Sequence, residues 1–230
     1  MGQHVLPGNP PVPVTLRRSP RAKRISLRIS ALDGKVTLTL PAHVSERKAM
    51  EFAAEKEDWL RHHLSTRGAD VMVQPGAHIP IEGLLRVVAP GAGRSVRLFP
   101  DRVEVPGDPD RMGRRLGAWL RELARDRLAG ASDLYAARLG RTYDRLTLRD
   151  TRSRWGSCTH DGGLMYSWRL ILAPPEVLSY VAAHEVAHLA QMNHSPAFWA
   201  GVEAIHGPYA PPRKWLRENS SDLHRYRFEG

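Results

Sequence analysis

Cys158 is the chain's one cysteine, so no intrachain disulfide can form and a disulfide-stapled scaffold is excluded. Long apolar runs are missing as well. No stretch approaches the roughly 18 residues of a membrane span, and the N-terminus carries no continuous apolar signal segment. A cytoplasmic protein without a membrane partner is therefore expected. Lysine is scarce beside arginine: Lys23, Lys35, Lys48, Lys56 and Lys214 are the lysines among 34 basic residues. The imbalance runs along the whole chain and reads as coding bias rather than local selection for phosphate. What is present is ordinary for a globular protein, with 42% hydrophobic and 25% charged among 230 residues, enough to bury a core.

The formal charge is +10 and unevenly placed. Arg17, Arg18, Arg21, Lys23, Arg24 and Arg28 all precede the first acid, Asp33. A basic stretch of this kind can meet nucleic acid, because neutralising phosphates drives binding without reading sequence. The competing reading is a solvated strand edge.

Residues 1–13 contain Pro7, Pro10, Pro11 and Pro13 with little apolar content and read as a flexible tail. From Val14 the pattern changes. Ile25, Leu27 and Ile29 alternate with polar residues, as do Val36, Leu38 and Leu40, and Asp33-Gly34 between them is a turn signal, which predicts a β-hairpin over 24–40. Ser45 opens one amphipathic helix expected to reach Ser65; His62 and His63 at its end are read as solvated. Short apolar runs over 71–73, 78–81, 84–89, 95–99 and 102–105 predict a meander of antiparallel strands. Residues 14–106 thus form a β-rich N-terminal module with one helix, and 107–230 a second domain. The fold class is α+β.

Asp108-Pro109-Asp110 starts a long helical region to Gly140, with Gly130 as the point where it divides. A strand around Leu146 and Leu148 follows, then a loop over 152–158 and a strand from Leu164 to Leu172. That last strand is read as the sheet edge beside the helix opened by Pro174 and Pro175, where an extended peptide can add. Cys158, without a recognisable partner, is read as a small core residue. A helix from Pro196 with Phe198, Trp199 and Val202 as its apolar stripe, a short helix over 213–219 and a polar remainder complete the chain.

The densest chemistry lies in HEVAHLAQMNH, from His184 to His194. Leu178, Val181, Ala182, Val186 and Leu189 surround the motif, and no Pro or Gly falls between Pro175 and Pro196, so a buried helix is predicted. On a helix His184 and His188 lie about 40° apart around the axis and can share one cation. Glu185 is offset by roughly 100°, where a carboxylate can hold a water without ligating the metal. His194 returns a third imidazole if the chain leaves the helix just after His188. Three ligands leave a position open, as catalytic zinc requires. Glu203 and His206 are the alternatives to His194.

These residues and their neighbours resemble a known family. RSRWGSC, GLMYSWRLILAP, YVAAHEVAHLAQMNHSPAFW and GPYAPPRKWL are similar to the YgjP-like metallopeptidases, relatives of the SprT-like zincins, tightly over about the last ninety residues and more loosely before them. The resemblance implies a zincin-like metallopeptidase domain with His184, His188 and His194 as Zn2+ ligands, Glu185 as general base and protein or peptide as substrate. Metzincins share the histidine spacing but carry Gly where this chain has Gln191, and no Met-turn follows. Tyr166, Arg154 and Tyr209 are candidates to stabilise an oxyanion. A metal-dependent hydrolase of a nucleotide or other small phosphorylated substrate is the alternative, since it would use the arginine surplus.

Overall fold

Alternation of apolar and polar residues builds the first sheet. Strands β1 (Gln3–Leu6), β2 (Val12–Arg18), β3 (Ser26–Ile29) and β4 (Val36–Leu40) lie in the order β1-β2-β4-β3; β2 and β4 are parallel, the other pairs antiparallel. Val12, Val14 and Leu16 of β2 and Val36, Leu38 and Leu40 of β4 are the buried positions of their strands. Ala49 and Ala53 of helix α1 (Glu46–Glu55) and Leu60 of helix α2 (Glu57–Ser65) share their core. The computed structural model describes residues 3–30, 34–65, 69–151, 153–219 and 221–229. It divides into two units, Met1–Ala69 and Asp70–Gly230.

The first unit corrects two expectations. Residues 3–13 are not a tail: β1 and the start of β2 lie there, with Leu6 and Val12 in the core, and Arg61 of α2 donates to the carbonyls of Pro7 and Pro10 to hold the connection. The expected single helix is two, parted at Lys56; Ser45 caps the first by accepting from the Lys48 N–H. The β3–β4 hairpin forms in the register Ser26↔Thr39 to Ile29↔Val36, and Asp33 of its turn signal lies outside the described residues.

In the second unit, β5 (Val71–Met72) is followed by β6 (His78–Ile81), β7 (Leu84–Gly91), β8 (Arg97–Leu98) and β9 (Arg102–Pro106), and the last four form a sheet in the order β6-β7-β9-β8. It is not an antiparallel meander. β8 turns back onto β9 through a bond from the Phe99 N–H to the Arg102 carbonyl, so β9 returns alongside β7 in the parallel sense. Ile79, Ile81, Val88, Val103 and Val105 from this sheet join one core with the C-terminal helices. The domain boundary expected near residue 106 therefore falls inside a unit; the break follows Ala69.

Helix α3 (Met112–Leu139) runs unbroken through Gly130, burying Met112, Leu116, Leu120, Ala124 and Leu128 on one face and ending at Gly140 in the left-handed conformation. β10 (Arg145–Arg149), β11 (Gly156–Cys158) and β12 (Gly163–Ser167) form a sheet in the order β10-β12-β11, with β10 parallel and β11 antiparallel to β12. The strand expected to reach Leu172 stops at Ser167. Residues 168–172 form a 3₁₀ turn in which all five side chains are buried, a result that strand alternation would not give. Arg169 is held there by a bidentate pair with Asp150 (2.6 and 3.0 Å) and by the carbonyls of Leu223 and Tyr226.

Helices α4 (Pro175–Ala187), α5 (Pro196–His206) and α6 (Ala210–Asn219) follow, and β13 (Tyr226–Arg227) pairs in parallel with β5. The terminal segment, polar in composition, places Leu223, Tyr226 and Phe228 in the core.

Candidate metal centre

Helix α4 is apolar nearly all round, with Val177, Leu178, Val181, Ala182, Ala183 and Val186 buried, which holds His184, and His188 at its C-cap, firmly in place. It ends at Ala187. The N–H groups of Ala190 and Gln191 both donate to the Ala187 carbonyl, the chain turns, and Ser195 caps α5 by accepting from the Phe198 N–H. That turn brings His194 back. Its ring lies 5.1 Å from His184 and 4.8 Å from His188, and His184 and His188 are 5.1 Å apart.

Among the described residues, His184, His188 and His194 form the group able to hold a metal ion, with one ligand nitrogen each and all within 4.8 Å of one another. The Nε2 atoms of His184 and His194 are 3.1 Å apart. Two nitrogens at about 2.0–2.1 Å from one tetrahedral ion would be separated by about 3.3 Å. His188 Nδ1 lies 2.9 Å from the Gln191 carbonyl, an acceptor, so that nitrogen carries the proton and Nε2 keeps its lone pair. Burial, then the other two imidazoles, pushes the His184 pKa down to about 3, and burial also lowers that of His188. Both rings are therefore neutral donors at physiological pH. The Phe198 ring lies 4.9, 4.4 and 4.8 Å from His184, His188 and His194 and keeps water from that side. Glu203 and His206 lie outside the cluster; His206 packs on Tyr135 and Tyr180 instead.

Glu185 is 6% exposed, and burial raises its carboxyl to about 8, with the charge of Arg154 opposing the rise. It lies against β11: a Cβ on Gly156 would sit 2.5 Å from Glu185 Cγ. Sequence reasoning placed 156 in a loop and missed it. The glycine in RSRWGSC is the signal that could have marked a close approach.

Among the described residues β11 is a sheet edge, paired on one side with β12. Trp155 accepts from Ser167 N–H and Thr159 donates to Gly163, so by alternation the main-chain groups of Gly156 and Cys158 point away from β12. β12, expected at the edge, is the central strand. Its N–H and C=O groups are already paired on both sides.

The remaining candidates sort clearly. Burial raises the Cys158 thiol to about 11, followed by the charges of Glu185 and Asp161, so no thiolate nucleophile forms near neutrality. Tyr166 is fully buried and bonded to Ser132. Tyr209 stacks on Trp199 and Tyr180.

An α+β fold with three histidines gathered at the end of a buried helix is the arrangement of a metallopeptidase. The family described as YgjP-like, metallopeptidase domain, matches residues 23–219, and the chain belongs to that family. Among solved structures, the metallopeptidase zymogen of Pyrococcus abyssi abylysin is similar at 20% identity, with a TM-score of 0.36, over 45% of this chain and 97% of that one. Comparison with curated proteins gives no match. The chain is thus a metal-dependent peptidase, and no helix among its described residues is long and apolar enough to cross a membrane.

Proposed function

We propose that the chain is a zinc peptidase in which His184, His188 and His194 hold the ion and Glu185 is the general base. The observation that carries this reading is the convergence of three imidazoles next to a buried carboxylate beside a sheet edge. Zinc supplies, when bound, a Lewis acid that polarises a carbonyl and acidifies water. Glu185 takes the proton of the attacking water and passes it to the leaving amine. Its backing by Gly156 leaves the carboxylate few other orientations. The outward groups of Gly156 and Cys158 pair with an extended substrate backbone, which fixes the scissile bond with little dependence on side chains and favours unfolded or flexible protein.

The small phosphorylated substrate finds less support. The arginine-rich groove, lined by Arg145, Arg149 and Arg154 with several hydroxyls, takes in Ser157. Ser157 alternates with Gly156, whose Cβ direction meets Glu185, so most of that groove opens on the opposite face of the sheet.

Hydrolysis of casein by zinc-loaded protein, with nucleoside triphosphates in parallel, tests the proposal. Glu185→Gln is expected to retain zinc and lose at least about 100-fold in rate, the scale of general-base catalysis. Cys158→Pro, which removes an outward N–H, should also retain zinc while losing peptide cleavage. Turnover of nucleotides alone would refute the peptidase, and full zinc retention in His194→Ala would refute the ligand set.

A further inference from the structure

Beyond Cys158 the edge strand runs into the β11–β12 turn, and a cavity of about 430 Å³ opens there. Its walls come from three places: Arg141 and Thr142 after α3, Thr159 to Gly162 of the turn, and His188, Leu189, Ala190 and Met192 after α4. His188 belongs to both the cavity and the metal cluster. A substrate paired along β11 with its scissile bond at the metal must therefore carry a neighbouring side chain past this opening.

The charges in the cavity are unequal in availability. Asp161 is engaged by Arg145 at 3.1 Å, and the Thr159 hydroxyl, then Arg145, holds its carboxyl below the ordinary value. Arg141 forms no ion pair among the described residues, and neither its guanidinium nor the His160 ring has a hydrogen-bond partner among them. Even a neutral imidazole keeps one N–H donor. Among the described residues the cavity thus offers a cation and a donor that no partner engages, while its own acid is paired with Arg145, which Asp144 also contacts. Met192, 49% exposed, supplies an adaptable apolar wall for the methylenes of an incoming chain.

We propose that this cavity is a side-chain subsite of the peptidase which takes an acidic residue of the substrate, with Arg141 determining that preference. The proposal rests on the peptidase reading above. It adds a side-chain preference at one position to a site whose other contacts are to main chain.

A peptide library that varies one position at a time, digested by zinc-loaded protein, tests it. Wild type should favour Asp or Glu over Ala at one position next to the cleaved bond. Arg141→Ala should reduce that acid-to-neutral ratio of kcat/KM about fivefold, as expected for one exposed ion pair. Arg141→Glu should reverse it in favour of Lys or Arg. Cleavage without an acid preference, a wild-type preference for basic residues, or an unchanged profile in Arg141→Glu would each overturn the subsite and leave the peptidase standing. Zinc-loaded wild type that cleaves no peptide would overturn the peptidase reading, and the subsite with it.

Discussion

Glycine 156 does at the residue scale what no side chain could. Its missing Cβ is the space that the Glu185 carboxylate occupies, with Cγ 2.5 Å from where that carbon would be. Gly156→Ala must therefore push the glutamate aside, and the least costly movement is of the side chain, since the backbone of α4 is fixed by its buried residues. The three imidazoles keep their places. The variant is expected to bind zinc with wild-type stoichiometry and lose roughly 10²-fold or more in kcat, because a base displaced by an ångström no longer reaches its proton. Metal analysis and single-turnover hydrolysis on the same sample decide it: wild-type kcat in Gly156→Ala would show that Glu185 is not the base.

Between elements, the 3₁₀ turn at 168–172 depends on Arg169. Its side chain is 9% exposed and bonds Asp150 and two carbonyls of the terminal segment, joining the turn, the end of β10 and the chain terminus. Removing the cation leaves Asp150 and two carbonyls without their donor, and Arg169→Ala should cost on the order of 3 kcal/mol of unfolding free energy. Burial alone would raise the Asp150 carboxyl, but the hydrogen bond and charge of Arg169 outweigh it and hold the pKa below its ordinary 3.8. A carboxyl whose pKa is lower folded than unfolded stabilises the fold above its unfolded value, and that contribution is lost as pH falls through the folded one. The difference in urea midpoint between wild type and Arg169→Ala should therefore be full at pH 7 and shrink below pH 3.8. A gap that is the same at both would detach the pair from acid stability.

Across the whole molecule, charge is distributed by element rather than uniformly. Arg17, Arg21, Lys23, Arg24 and Arg28 are exposed around β2 and β3, whereas Arg18 donates to the carbonyls of Ala42 and Val44. Nucleic-acid binding through this stretch remains a proposal with a definite signature: if it holds, log affinity for duplex DNA should fall linearly with log salt with a slope set by the phosphates neutralised. Replacing Arg17, Arg21 and Arg24 by Gln should flatten that slope by roughly two to three units. DNA and RNA that both fail to bind at low salt would mark the stretch as a solvated edge.

Local pattern alone determined the β3–β4 hairpin, the buried α4 and the two histidines one turn apart, since each rests on periodicities of 2 or 3.6 residues that need no distant partner. His194 was legible for the same reason: a helix that ends at Ala187 and a cap at Ser195 leave a short turn that can bring the ring back. Tertiary structure decided what depends on residues far apart in sequence. Leu6 and Val12 became strand because β4 and the helices supplied a core to bury them, although the prolines between them read as a tail. Residues 71–105 joined the unit that carries the three histidines because their apolar faces met α3, and composition says nothing about which neighbour a face will find. The edge beside the histidine cluster fell to β11, three residues inside an expected loop, because β10 paired in parallel with β12 and took the other side; strand order is a property of pairing, which no single strand's sequence contains.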